Sequence, residues 1–174
     1  MDSEDSCVAV YDSHEEAEAA VKALQQARFD IRKISIVGRD YESDEHVVGF
    51  YTTGERMKYW GKFGAFWGGL WGLLIGAAFL WVPGVGAIVA GGPIVAMIIS
   101  ALEGGALVGG MSALGAGLYS LGIPKNSILE YETALKANRF LVIVHGVRDE
   151  VERARETLSH AGTSSLKTHA HAAP

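Results

Sequence analysis

The chain has 174 residues and a formal net charge of −5, a length that fits one compact domain or one domain with an appendage. Net acidity without a basic stripe excludes nucleic acid as an expected partner. The charged residues lie towards both ends of the chain, whereas the segment 63–124 carries only Glu103. The single cysteine, Cys7, has no partner for an internal disulfide, which favours a reducing, cytosolic setting.

The first third of the chain predicts a strand, a helix and two further strands. The apolar run Cys7–Tyr11 predicts the first strand, and Ser13 with Glu16 fits a capping box that begins a helix. That helix ends near Phe29 and repeats apolar residues at helical spacing: Ala17, Ala20, Val21, Leu24 and Ala27. Strands are then predicted at Ile31–Val37 and His46–Thr52, with a polar loop between them.

The last third of the chain repeats this pattern. A helix capped by Asn126 or Ser127 is predicted to end near Asn138, and Phe140–His145 reads as a buried strand. A final helix carries an apolar stripe made of Val147, Val151, Ala154 and Leu158. The residues from Gly162 onward fit either a weak edge strand or a disordered tail.

These elements predict an α+β fold, a ferredoxin-like split βαβ domain interrupted by an apolar insert. We expect the domain's first half at residues 1–58 and the insert at 59–123. The second half is expected at 124–162, followed by a tail at 163–174. Since both halves contribute strands to one sheet, the two ends of the insert should lie on the same side of the membrane or of the assembly core that holds the insert.

The first half of the insert reads as a long apolar helix. Phe63–Val82 has twenty residues without a charge, the length of a membrane-spanning helix. Its glycines recur at every fourth position and line one side of the helix, where another helix can approach closely: Gly64, Gly68, Gly72 and Gly76.

The second half of the insert reads as a second helix, from Pro93 to Leu121. Small residues again recur at every fourth position: Ala101, Gly105, Gly109, Ala113 and Gly117. The two matching rows predict an antiparallel glycine-zipper hairpin, packed small face to small face.

An even number of membrane crossings follows if both halves of the split domain share one sheet. Basic residues flank the insert on both sides, so the positive-inside rule places the domain in the cytoplasm, with the hairpin in the inner membrane. Tyr59, Trp60 and Trp81 fit interfacial anchors, or the packed aromatic residues of any core. Glu103 is expected near the middle of a helix, where it fits a polar pore, a subunit contact or a segment outside the membrane.

No known catalytic, phosphate-binding or cofactor motif occurs in the sequence. His169 and His171 would share one side of a strand, but two ligands make an incomplete metal site, and a solvated tail explains them as well. We therefore predict a non-enzymatic protein with no catalytic residues, cofactor or metal.

Three stretches resemble bacterial general stress proteins of the YflT-like kind and related glycine-rich membrane proteins. They are CVAVYDSHEEAEAAVKAL, GKFGAFWGGLWGLLIGAAF and ALKANRFLVIVHG. The resemblance implies a stress-induced protein, and it brings no catalytic residues with it. The long hairpin departs from the shorter stress proteins.

The leading hypothesis is a stress-associated homo-oligomer that is embedded in the membrane and scaffolds or stabilises it. A second hypothesis is a cytoplasmic, water-soluble particle or ring with its hairpins buried in the core, around an apolar cargo. A third is a sensor that binds a small ligand of unknown identity on its ferredoxin-like sheet, by analogy alone.

Overall fold

The computed structural model describes residues 4–39, 78–82, 85–104, 112–163 and 165–170. The predicted third strand, His46–Thr52, lies outside these residues. The described strands are β1 (Asp5–Tyr11), β2 (Ile34–Arg39), β3 (Ala78–Val82), β4 (Gly86–Gly91), β5 (Phe140–Gly146) and β6 (Ser165–His169). The α-helices are α1 (His14–Gln26), α2 (Ile94–Gly104), α3 (Ala113–Ser120), α4 (Lys125–Lys136) and α5 (Arg148–Ser159), and a 3-10 turn at Ile31–Lys33 precedes β2.

The six strands form one sheet in the order β3-β4-β2-β5-β1-β6, and every neighbouring pair is antiparallel. Because β5 lies between β1 and β2, the unit β1-α1-β2 joins parallel strands with a third strand between them. The unit β5-α5-β6 does the same around β1. Two such interleaved units are the split βαβ arrangement.

The second of these units differs from the one expected. We predicted that the helix at 126–138 and the strand at 140–145 would complete the split domain. Instead β5, α5 and the C-terminal β6 complete it, and α4 belongs to the long connection between β2 and β5. The region after Gly162 therefore contains an edge strand, which is the first of the two alternatives left open for it.

One face of the sheet packs against α1 and α5. Residues at alternate strand positions, such as Cys7, Ile36 and Val142, meet the apolar side of each helix in a single buried cluster. The helical residues of this cluster are Ala17, Ala20, Val21, Leu24, Val151, Ala154 and Leu158. All seven belong to the apolar stripes predicted for the two helices.

The opposite face is covered by α2, α3 and α4, which we call the cover helices. The strand residues between those of the first face, such as Val8, Val37 and Ile143, share a second buried cluster with residues of the cover helices and β4. The largest fully buried side chains contributed by the cover helices are Tyr131, Ile94, Ile98, Leu114 and Leu118. Much of the apolar insert is thus part of the core of the α+β domain.

The first predicted hairpin helix, Phe63–Val82, is wrong over its last five residues. Ala78–Val82 is a strand, and it pairs with Gly86–Gly91 from Ala78 opposite Ala90 to Val82 opposite Gly86. The amide of Val85 donates to the Val82 carbonyl at 3.1 Å and closes the turn between them. A short apolar run rich in aromatic and β-branched residues fits either structure. The Pro-Gly pair at 83–84, which we read as a helix end, lies outside the described residues.

The second predicted helix, Pro93–Leu121, is not continuous. α2 ends at Gly104, and Ser112 has an extended backbone and caps α3 by accepting a hydrogen bond from the Gly115 amide at 3.0 Å. Serine competes for helical hydrogen bonds, and glycine weakens a helix by about 1 kcal/mol relative to alanine. In the described part of the chain, no helix has both the length and the apolar character needed to cross a membrane.

The predicted helix starts are right in one case and displaced in the other. Ser13 caps α1 by accepting from the Glu16 amide at 3.2 Å, and the Glu16 carboxylate in turn accepts from the Asp12 amide. α4 begins at Lys125 with Pro124 at the cap position and without a side-chain cap, so neither Asn126 nor Ser127 caps it. Proline fits this place because it has no amide hydrogen to satisfy there.

Candidate functional site

The structure describes only part of the helix-packing and anchor residues that the sequence singled out. Trp81 lies in β3, where it pairs with Ala87. The predicted roles of the residues outside the described part of the chain stay predictions: Gly64, Gly68, Gly72, Gly76, Gly105, Gly109, Tyr59 and Trp60.

Gly117 lies where α3 crosses α2. A Cβ atom added to Gly117 would lie 2.9 Å from Cγ1 of Ile98 and 3.5 Å from Cγ1 of Ile94. Ala113 on the same helix is buried, and Ala101 on α2 is partly buried. At Gly117 the lack of a side chain permits a close helix approach, which joins two parts of what was predicted to be one helix. The role of the row as a whole stays a prediction.

Glu103 is exposed and lies one residue before the end of α2. The expectation that it lies near the middle of a long helix is wrong, because the predicted helix stops at Gly104. Its assignment to a pore or a subunit contact stays a prediction.

Three polar residues lie side by side at one end of the sheet, on neighbouring strands. Ser6 of β1 is directly opposite His145 of β5 on one side and His169 of β6 on the other. Residues directly opposite one another in antiparallel strands share a face, so this row lies on the face that the cover helices occupy. Ser6 is completely buried and His169 is 9% exposed.

Each cover helix is attached to this face by one buried hydrogen bond, and we call the three bonds the polar clasps. The Ile94 amide at the start of α2 donates to the Ser35 hydroxyl at 3.3 Å. The Ser6 hydroxyl donates to the carbonyl of Leu121, the residue after α3. The hydroxyl of Tyr131 in α4 forms a hydrogen bond with Nε2 of His169 at 2.7 Å, and the two rings meet edge to face.

Burial favours the neutral form of both histidines in the row. It lowers the pKa of His169, and the nearby positive charge of Lys167 lowers that pKa further. Burial also lowers the pKa of His145, whose Nδ1 has no hydrogen-bond partner in the described part of the chain. The pKa of the Tyr131 hydroxyl is raised, again mainly by burial, so the Tyr131–His169 clasp joins two uncharged groups.

These groups are poorly arranged for nucleophilic catalysis. The Ser6 hydroxyl uses its hydrogen on a main-chain carbonyl, whereas an activated serine directs it at an imidazole. Cys7 is fully buried on the opposite face, and burial raises the pKa of its thiol to about 11, which disfavours the reactive thiolate.

A metal site has no better support in this region. No group of three or more histidine, cysteine, aspartate or glutamate side chains able to hold a metal ion occurs among the described residues. The sequence suggested His169 and His171 as two possible ligands. His169 is hydrogen-bonded to Tyr131, and His171 lies outside the described part of the chain.

Sequence reasoning missed the polar clasps because their members are far apart in the chain. Ser6 and Leu121 are separated by 115 positions, and Tyr131 and His169 by 38. The edge-strand alternative for the C-terminal region was the one available signal, since a paired strand there brings His169 beside β1.

Residues 6–81 match the family model described as the heat induced stress protein YflT domain. The predicted resemblance to YflT-like general stress proteins is therefore confirmed over this part of the chain, which carries α1, β2 and most of β1 and β3. Neither the curated proteins nor the solved structures contain a significant match to the chain.

Proposed function

We propose that this YflT-type stress protein is non-enzymatic and acts by associating with further copies of itself through the outer side of α2. The observation that carries the proposal is the composition of that helix: from Ile94 to Leu102 it has no charged residue on any side. Apart from the exposed Ser100 these residues are all apolar, and a helix of this composition is normally enclosed by other protein or by lipid.

The core encloses α2 incompletely. Ile94, Val95 and Ile98 are buried, whereas Met97, Ile99, Ala101 and Leu102 pack against the core but are only partly buried. Ala96 and Ser100 are exposed. Apolar surface that stays accessible on an outer layer can serve as an interaction site.

A second copy fits this patch better than another partner does. The commonest oligomers are symmetric dimers, in which the same patch serves both subunits, so an uncharged helix face can meet itself without charge repulsion. Glu103, exposed at the end of α2, would then lie at the polar rim of the contact.

The strand at Ala78–Val82 favours this proposal over a pair of membrane spans. With these five residues in the sheet, the uncharged stretch that begins at Phe63 keeps the fifteen residues 63–77. Even a continuous helix of that length would extend roughly 22 Å at 1.5 Å per residue, short of the ~30 Å apolar slab. Lipid contact is therefore the competing outcome of the test.

Sedimentation equilibrium without detergent tests the proposal. We expect the wild-type protein to show a concentration-dependent mass above that of the monomer. Ala96→Glu, which places a charge on the exposed side of α2, should weaken self-association at least about tenfold, since charge is disfavoured in interface cores. Leu129→Glu is the matched control, because Leu129 is exposed on α4 and should leave the association unchanged.

Two outcomes would contradict the proposal. One is a wild-type monomer at all concentrations that floats with lipid vesicles, which would favour the membrane instead. The other is an equal effect of the two glutamate variants, which would mean that α2 is not the contact.

A further inference from the structure

The C-terminal strand β6 is an edge strand, and two side-chain contacts connect it to α4. His169 meets the Tyr131 hydroxyl at 2.7 Å, and the Lys167 Nζ lies 2.7 Å from a carboxylate oxygen of Glu130. Among the described strands, β6 pairs with β1 alone. These two contacts fix β6 on the side of the cover helices, whereas its ladder with β1 and the packing of Leu166 hold it to the rest of the domain.

Among the described residues, the surroundings of His169 contain no spare negative charge. On the covered face it is faced by Tyr131 and Glu130 of α4, by Lys167 of its own strand and by Ser6 of β1. Glu130 is already paired with Lys167, and both side chains of that pair are about half exposed. The hydroxyl hydrogen of Ser6 is used on Leu121.

We propose that His169 is an acid-sensitive latch, in which protonation of its imidazole releases β6 from α4. The step is the binding of one proton to the ring nitrogen that carries none in the neutral form. The resulting cation lies in a nearly closed site beside Lys167, where the part of the chain that the structure describes offers no free counter-ion, and moving the strand end outward returns it to water.

The pKa of His169 agrees in direction with this proposal. Burial and Lys167 both lower it, so the docked strand resists protonation while the released strand does not. Any proton bound in mildly acidic solution therefore favours the released form. Release of this strand end would uncover the main-chain edge of β1 at Ser6, which lies opposite His169.

Hydrogen exchange of the β6 amides tests the latch. Protection factors, corrected for the intrinsic pH dependence of exchange, should fall about tenfold or more in β6 between pH 7.5 and pH 5. Those of β2, in the interior of the sheet, should change much less. His169→Gln keeps a polar side chain that cannot be protonated, and its β6 protection should depend on pH much less than that of the wild type.

His160→Gln is the matched control, because His160 is exposed in the turn after α5 and its variant should behave as the wild type does. The proposal would be overturned by wild-type β6 protection that is constant to pH 5, or by a His169→Gln variant that keeps the wild-type pH dependence.

A direct titration keeps the proposal testable if the His169→Gln variant does not fold. The imidazole resonances of His169 in the wild-type protein should titrate with the same midpoint as the loss of β6 protection. A titration of His169 that leaves the amide resonances of β6 unchanged would count against the latch.

Discussion

Tyr131 shows how one hydroxyl attaches an inserted helix to the sheet. Tyr131→Phe removes the clasp and leaves His169 Nε2 buried without that partner. We expect it to lower the free energy of unfolding by about 1–3 kcal/mol, because an unpaired buried polar group loses its hydration without compensation. Urea unfolding at pH 7.5 measures the change.

Tyr119→Phe is the control for this prediction. The Tyr119 side chain is 50% exposed, so its variant should change the free energy of unfolding by less than about 0.5 kcal/mol. Equal losses in the two variants would show that the clasp contributes nothing particular to stability.

Gly117 acts at the level of two packed helices. Gly117→Leu forces α3 away from Ile98 and should lower the free energy of unfolding by about 2–3 kcal/mol, as overpacking of a close contact does. Ser120→Leu, at the exposed end of the same helix, should be close to neutral. Thermal unfolding of both variants measures this difference. A Gly117→Leu protein as stable as the wild type would contradict the close approach of α3 and α2.

The C-terminal strand gives a prediction for a whole element. A chain that ends after Gly162 lacks β6 and with it the pairing along β1, the Leu166 packing and the Tyr131–His169 clasp. We expect its free energy of unfolding to fall by at least about 2 kcal/mol relative to a chain that ends after Ala170 and keeps β6. Identical urea midpoints would mean that these residues are a dispensable tail.

The elements that could be predicted are those whose periodicity is unambiguous. Ala17, Val21 and Leu24 recur at helical spacing next to a Ser13 cap, and the structure has that helix. Ala78–Val82 was misread because an apolar run of five residues carries no helical or strand period of its own, and its pairing with Gly86–Gly91 decides its state.

The candidate site was less predictable than the elements, for a topological reason. The site forms only when β6 lies beside β1 and α4 lies over both, which brings together Ser6, Tyr131 and His169. No local sequence pattern predicts these long-range contacts. His169 and His171 were considered as metal ligands from their spacing alone, whereas register and burial assign His169 to a hydrogen bond with Tyr131.

At the scale of the whole molecule, the buried His169 and the partly buried His145 predict how stability depends on pH. The pKa values of His145 and His169 are both lowered in the folded protein by burial, whereas an unfolded histidine titrates near about 6.5. Below that pH the unfolded chain binds protons that the folded protein resists, so the free energy of unfolding should fall as the pH drops from 7.5 towards 5.5.

Urea unfolding across this range measures the effect. The double variant His145→Gln, His169→Gln should show a flatter profile than the wild type, even if its stability at pH 7.5 is lower. Parallel profiles for the two proteins would rule out these histidines as the source of the pH dependence.

The use of the insert is what distinguishes this molecule from a minimal split βαβ domain. In such a domain, helices cover one face of the sheet; here α2, α3 and α4 cover the second face and the β3-β4 pair widens the sheet. The described apolar residues that read as part of a membrane hairpin in the sequence, such as Ile94, Ile98 and Leu114, are thereby enclosed within the fold. We assign the partly exposed apolar side chains of α2 to self-association.

The most direct test of this account is a set of proton–proton nuclear Overhauser effects in the detergent-free protein. Packing of the cover helices on the sheet predicts contacts between the rings of Tyr131 and His169, and between the Ile98 side chain and the α-protons of Gly117. Absence of both contacts, with α3 amides that exchange as freely as those of an open chain, would contradict it.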